Sequence, residues 1–356
     1  MVSLILASLY DKLLRASSTQ RQKKAEGRSA AWSRHGQRPA AAEGAFAACQ
    51  FHLKPVLFTV HGEMIQSPHD QVTAVVLGIM QDGGLPHVGC RCRRCAAAYA
   101  DPGRREYAAC LAIVDGRGSE AAVWLIDVTP DVKYQLNLLA EVLGPHPRRA
   151  GRLHQPNGIF LTHAHMGHIG GLPQLGPEAM AVQEMPVYGA SGLVRLLRET
   201  RLWRPLVEKL ALIPLAAGET VTLADDLRVT AVAVPHRDEW DAGTYAFRVQ
   251  GPARSLLYLP DIDSWEQWPE AHEQVAGVDI ALVDATFYSR DELGGPPPVA
   301  HPLVPHTLNL FADLAGRLVL THFNHTNSAL DTDSRERAAV LAAGAQIAET
   351  GQVFSL

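Results

Sequence analysis

Leu161-Thr-His-Ala-His-Met-Gly-His-Ile-Gly-Gly171 follows directly on the apolar run Gly158-Ile-Phe-Leu161. Three imidazoles, His163, His165 and His168, thus leave what reads as a buried strand within six residues. Imidazole is the commonest protein ligand for zinc-type ions, so the run reads as part of a metal site. A histidine-rich surface loop is the plain alternative. It loses ground because further donors recur downstream, each after an apolar run. His236 follows 227–234, Asp261 follows Ser255-Leu-Leu-Tyr-Leu-Pro260, and His322 follows Arg317-Leu-Val-Leu-Thr321. Loops at strand ends carry function because the sheet fixes the backbone while the loop presents the side chain. Singly, these residues read as a satisfied loop histidine, a turn residue and a partly buried imidazole. In this order they point to one centre.

Working outward, apolar runs and alternation predict strands over 72–78, 108–114, 122–127, 158–162, 186–188, 227–234, 244–249, 255–259, 280–283 and 318–320. Helical spacing covers 132–143, 190–202, 306–315 and 333–343. Helices separate groups of strands instead of alternating with them one to one. That predicts two packed sheets with helices outside, an α/β sandwich. No internal repeat is visible. Residues 71–356 read as a single domain.

Residues 1–70 read differently. The stretch 17–48 is rich in Ala, Arg, Ser and Gln and lacks the apolar surface that offsets chain entropy. Residues 1–70 are therefore expected to be a disordered extension, or a start set too far upstream with Met64 nearer the true one. The formal charge of −5 gives no broad basic face, so nucleic acid is not an expected partner. No apolar run is long enough to span a bilayer, so a membrane is not expected either. A homodimer is left open.

The five cysteines are unevenly placed. Cys90-Arg-Cys-Arg-Arg-Cys95 follows the glycine-rich loop Gly83-Gly-Leu-Pro-His-Val-Gly89. An odd count with three thiols clustered fits a metal better than a disulfide framework, and a reducing compartment, the cytoplasm. Three thiolates need a fourth ligand for a closed tetrahedral zinc site. His87 is near in sequence, and His325 is the better candidate.

The histidine run, with His236, Asp261 and His322, resembles the metallo-β-lactamase superfamily over about 72–356. The resemblance implies an αββα sandwich, two packed mixed sheets with outer helices, and a dinuclear metal site along their edge. The superfamily signature is His-x-His-x-Asp-His, then a His, a bridging Asp and a final His. It implies His163, His165 and His236 on the first metal, His168 and His322 on the second, and Asp261 as the bridge. Asp127 matches an early strand-end aspartate that supports the ligands, and Asp284 falls at another familiar strand end. One position departs from the signature: Gly167 stands where Asp is expected. The second ion loses a ligand and is expected to bind more weakly, though three ligands and water suffice for a catalytic zinc. The general acid or base must come from elsewhere, with Asp238, Asp263 and His301 as candidates beside Asp261 itself. Glu239 and Trp240 read as a solvated loop.

Thr321-His-Phe-Asn-His325 resembles the closing motif of the cyclic-phosphate phosphodiesterase associated with carbon–phosphorus lyase. There the second histidine completes a site of three cysteines and one histidine, which implies a structural zinc on Cys90, Cys92, Cys95 and His325. The same segment, with Asp127-Val-Thr-Pro-Asp131 and Asp284-Ala-Thr-Phe-Tyr288, resembles the pyrroloquinoline-quinone synthesis protein B family.

Taken together, these readings expect a phosphodiesterase-like, metal-dependent hydrolase. It would attack an ester or phosphodiester, in a small-molecule or small peptide-derived substrate, through metal-bound hydroxide. It would carry one structural zinc and one or two catalytic divalent ions, zinc, manganese or iron. Two other readings stand beside it. His168, His322 and Asp261 also compose an iron site, which fits an iron-dependent oxygenase in quinone-cofactor biosynthesis. A non-catalytic carrier would use the open pocket to bind a small ligand.

Overall fold

The computed structural model describes residues 59–60, 63–64, 70–144, 146, 151–294 and 300–356. Most of 1–70, including the composition-biased stretch, lies outside the described residues. Within it, β1 (Thr59–Val60) and β2 (Glu63–Met64) pair antiparallel. The expectations of disorder and of an upstream start are otherwise not addressed by the described residues.

Strands without a polar face sit in the middle of a layered fold, because cover on both sides leaves no position for water. β3 (Val72–Gly78), β4 (Cys110–Asp115), β12 (Ser255–Leu259) and β13 (Ile280–Asp284) are buried at every residue. The first seven-stranded sheet runs in space β16 (Val353–Ser355), β3, β4, β5 (Ala122–Ile126), β6 (Gly158–Phe160), β7 (Met185–Ala190), β8 (Leu210–Leu215). The second runs β15 (Gln346–Ile347), β14 (Leu318–Thr321), β13, β12, β11 (Tyr245–Gln250), β10 (Leu227–Ala233), β9 (Thr220–Ala224).

Both sheets follow one plan. From β16 through β3 and β4 to β5 the pairing is antiparallel, and from β5 through β6 and β7 to β8 it is parallel. From β9 through β10 and β11 to β12 it is antiparallel, and from β12 through β13 and β14 to β15 it is parallel. The repeat is one of topology, and no sequence similarity announces it. The inner faces share one core: Phe160 of β6 meets Phe247 of β11 edge-on, with ring centroids 5.3 Å apart. This is the expected αββα sandwich.

The predicted strands all form, with ends shifted by a few residues at most. Apart from the two-residue β1 and β2, four were missed, and all four are edge strands. β8 carries Pro214, which suits a sheet edge. β9 alternates exposed and half-buried residues and buries none fully, so it shows no apolar run. β15 and β16 are only two and three residues long. Four α-helices were also missed, three of them of four to six residues (Met166–Ile169, Arg204–Val207 and Ala271–Ala276) and the fourth longer. α1 (Arg93–Ala100) begins inside the cysteine cluster, with Cys92 as its N-cap, its sulfur accepting from the Cys95 amide. The cluster is therefore half loop and half helix. No helix among the described residues is long and apolar enough to cross a membrane.

Candidate metal centre

The parallel strands of both sheets deliver their C-terminal ends to one place, the position where open α/β sheets present ligand sites. Asp127 follows β5, His163 follows β6, Asp261 follows β12, Asp284 ends β13, and His322 follows β14. The carboxylate of Asp261, only 4% exposed, lies at the middle. Its Oδ2 is 2.9 Å from His168 Nε2 and 3.2 Å from His322 Nε2. On the other side, His163 Nε2 is 3.9 Å from Oδ2 and His236 Nε2 is 3.8 Å from Oδ1.

Two lobes result. In the first, His165 Nδ1 is 2.9 Å from His163 Nε2 and 3.2 Å from His236 Nε2. Three ring nitrogens crowd there with no carboxylate among them, an arrangement that makes poor hydrogen bonds and a good metal seat. In the second, His168, His322 and Asp261 converge. Asp261 Oδ2 and His322 Nε2 are buried yet make no well-aligned hydrogen bond, although His168 Nε2 lies near the oxygen. Orphaned buried acceptors cost about 1–3 kcal/mol each, and a cation between them relieves that cost. The residues present fit a divalent metal.

The far nitrogen of every ligand ring already has a neighbour, as orientation of metal-binding imidazoles requires. His163 Nδ1 lies 3.0 Å from Thr162 Oγ1, and His165 Nε2 lies 3.0 Å from Glu239 Oε2. His168 Nδ1 lies 2.7 Å from Asp127 Oδ2, and His236 Nδ1 lies 2.9 Å from Asp263 Oδ1. His322 Nδ1 lies 3.0 Å from Thr286 Oγ1. The two sheets use the same device. Asp127 accepts from the amide and hydroxyl of Thr162, and Asp284 accepts from the amide and hydroxyl of Thr286. Asp127, His301 and His322 all adopt left-handed backbone, at φ 70, 71 and 62. Each costs about 1 kcal/mol or more, and such strain gathers at functional sites.

Electrostatics set His163, His236, His322 and Asp261 in donor form. Burial holds His163, His236 and His322 below the ordinary imidazole value, so they are neutral at pH 7. Burial opposes ionisation of Asp261, but the neighbouring His322 and His168 outweigh it and keep its carboxyl well below the usual range. Burial likewise opposes charge on His168, yet Asp127 and Asp261 prevail and raise it well above the ordinary value. That proton must leave before His168 can bind a metal. His301 is lifted to about 9: burial works against its charge, and Asp284, 2.7 Å from Nδ1, outweighs burial.

A second cluster lies on the side of His322 that faces the cysteines. His325 Nδ1 is 3.9, 3.7 and 3.6 Å from the sulfurs of Cys90, Cys92 and Cys95. A tetrahedral zinc with Zn–S about 2.3 Å and Zn–N about 2.0 Å places sulfur and nitrogen about 3.5 Å apart. The set therefore closes around one ion with little movement. Burial keeps His325 below the ordinary imidazole value, which is its ligand form. His87 does not join: its amide donates to Cys95 sulfur at 3.3 Å and its ring lies tilted against that of His325, centroids 4.7 Å apart.

The candidate acid and base residues separate. His301 lies in the centre, its Nδ1 3.8 Å from Asp261 Oδ1. Asp263 backs His236 from outside. Asp238 accepts from the amides of Trp240 and Gly243, so it holds the loop in shape and stands apart from the ligand atoms. Glu239 and Trp240 lie on an exposed loop, as read, and from it Glu239 meets His165 at 3.0 Å and the Trp240 ring meets His165 edge-on at 6.0 Å. Thr162, Thr286 and Asp82 were not singled out by sequence. The threonines flank histidines and aspartates that were, and Asp82 had no motif around it. Its Oδ1 lies 3.5 Å from His168 Nε2.

Residues 124–323, more than half of the chain, match the model of the beta-lactamase superfamily domain. The chain belongs to the beta-lactamase superfamily. Among curated proteins it is similar to coenzyme PQQ synthesis protein B from Methylorubrum populi, 28% identical over 308 residues, spanning 79% of this chain and 99% of that protein. The counterpart from Rhodopseudomonas palustris is 26% identical over 315 residues, with the same coverage. Among solved structures, zinc-bound PqqB from Methylobacterium extorquens superposes with TM-score 0.67 at 23% identity, covering 80% of this chain and 100% of that one. A diphosphatase from the PhnP family gives TM-score 0.59 at 24% identity, covering 80% and 97%. These likenesses share the metallo-β-lactamase fold.

Proposed function

We propose that this chain is a metal-dependent hydrolase of phosphodiesterase type, cleaving an ester or phosphodiester in a small molecule or a small peptide-derived compound. The observation that carries the proposal is the pair of lobes meeting at Asp261, each ligand ring already backed by its own partner. His163, His165 and His236 would hold one ion, His168 and His322 the other, and Asp261 would serve both. When bound, the ions supply an activated water and polarise the scissile bond. His301 presents Nε2 to the departing oxygen, because Nδ1 is engaged by Asp284. It hands that oxygen a proton as the bond breaks, while Asp284 fixes its orientation. Cys90, Cys92, Cys95 and His325 would hold one structural zinc. The fold of the PhnP-family diphosphatase supports this reaction class. Likeness to the PQQ synthesis proteins supports a substrate near that cofactor's assembly. Reduced thiols at Cys90, Cys92 and Cys95 support a cytoplasmic setting.

The test is turnover of bis(p-nitrophenyl) phosphate by protein loaded with zinc or manganese. We expect metal-dependent release of nitrophenol that His163→Ala abolishes. No turnover of any phosphodiester or carboxylic ester by the loaded protein would reject the proposal. An iron-dependent oxygenase is the second reading, favoured by the convergence of His168, His322 and Asp261 and by the PQQ relatives. It leaves the three-imidazole lobe without a task. Iron in the purified protein with substrate-dependent oxygen uptake would establish it.

A further inference from the structure

Gly167 has no room for a side chain. A Cβ built on it would lie 1.9 Å from Asp82 Oδ1, 2.6 Å from Asp82 Cγ and 2.4 Å from Asp82 Cα. The space that an aspartate at 167 would enter is filled by the carboxylate of another residue. Backbone contacts hold it there. The Gln81 amide donates to the Phe323 carbonyl at 2.8 Å, and the Phe323 amide donates to the Ile79 carbonyl at 2.8 Å. Segment 79–81 therefore runs parallel to the segment that carries His322. Asn324 Nδ2 donates to Gln81 Oε1 at 2.6 Å and ties the two segments again. The chain then turns, the Gly84 amide donating to the Gln81 carbonyl at 2.9 Å, with Gly84 in the left-handed region at φ 62. That turn aims Asp82 at the second lobe. Donor atoms of Asp82, His168 and His322 all lie within 4.8 Å of one another.

We propose that Asp82 is a ligand of the second metal ion, supplying from the loop before the cysteines the carboxylate that position 167 lacks. The second lobe then has two imidazoles and two carboxylates, His168, His322, Asp261 and Asp82. The weaker second site expected from Gly167 is no longer expected. An aspartate in a solvated turn is the plain reading of a residue whose side chain is 46% exposed. It does not explain why the turn closes on Gly167 so tightly that no other residue fits there. Glycine at 167 and aspartate at 82 are two halves of one exchange.

The proposal rests on the two-ion reading above, and the test separates their failures. Full-length wild type, Asp82→Ala, Asp82→Asn and Asp82→Glu are freed of active-site metal and titrated with zinc. Equilibrium dialysis with elemental analysis reads each binding step. Wild type should take up two ions beyond the structural zinc. Asp82→Ala and Asp82→Asn should keep the first ion and lose about a hundredfold in affinity for the second, the upper end for removing support from a metal site. Asp82→Glu keeps a carboxylate at 82 and should hold the second ion within about tenfold of wild type. Should Asp82→Ala fail to fold, the near-isosteric Asp82→Asn decides. Wild-type affinity for the second ion in Asp82→Ala or Asp82→Asn overturns the proposal and leaves the two-ion reading standing. Fewer than two added ions in wild type overturns both.

Discussion

Replacing His325 with alanine probes the proposed structural zinc most simply. The imidazole sits 3.6–3.9 Å from three sulfurs and is the only ligand of the four contributed from beyond β14. Structural zinc contributes about 10–16 kcal/mol to small metal-dependent folds, or about 3 kcal/mol per ligand when spread over four. His325→Ala should therefore weaken zinc binding by roughly that amount, on the order of a hundredfold. Because zinc binds the native state preferentially, stability falls by a similar few kcal/mol at fixed zinc. At about 2 °C per kcal/mol for a chain of this size, the melting temperature should fall by about 6 °C. Differential scanning calorimetry and elemental analysis on the same preparations read both quantities. Wild-type zinc content with a shift under about 1 °C would refute the reasoning and send the fourth ligand elsewhere.

Three further outcomes follow from particular contacts. Asp127→Asn keeps the shape but loses the carboxylate 2.7 Å from His168 Nδ1, so affinity for the second ion should fall about 10–100-fold by dialysis. His301→Gln should lower kcat far more for a substrate with a poor leaving group than for a nitrophenyl ester, since only the former needs its proton. Asp115 accepts two hydrogen bonds from the Arg117 guanidinium, at 2.9 and 2.7 Å, and one from the Arg117 amide at 3.1 Å, which hold its carboxyl below the ordinary 3.8 despite burial. A depressed folded value means the contact stabilises above the unfolded value and fades as pH falls through the folded one. Asp115→Asn should thus cost about 1 kcal/mol at pH 7, with the gap closing below about pH 4 in urea unfolding curves.

Much of the centre was legible because its residues follow apolar runs. Phe160 and Leu161 announce the strand that presents His163, and Leu257 to Leu259 announce the one that presents Asp261. A buried parallel strand leaves a clear mark, and its C-terminal end is where ligands belong. The edge strands were not legible, for the opposite physical reason. β9 is covered on too little of its surface to need apolar residues, and β8 tolerates a proline because one side of its ladder is unpaired. Asp82 was invisible for a third reason. Nothing in Gln81-Asp-Gly-Gly84 marks a ligand, and only the pairing of Met80 with Phe323 brings that turn over Gly167. The sequence shows a missing carboxylate at 167, and the fold shows what stands in its place. Thr162 and Thr286 escaped notice because a threonine at a strand end is common, and its value lies in the aspartate it meets, Asp127 from the neighbouring strand for Thr162 and Asp284 two residues back for Thr286.

Anomalous scattering from crystals soaked in zinc would test the central claim most directly. The account predicts two peaks about 3.5–4 Å apart on either side of the Asp261 carboxylate, and a third among Cys90, Cys92, Cys95 and His325. A single peak at the centre, or peaks that leave Asp261 or the histidines of either lobe uncoordinated, would contradict it.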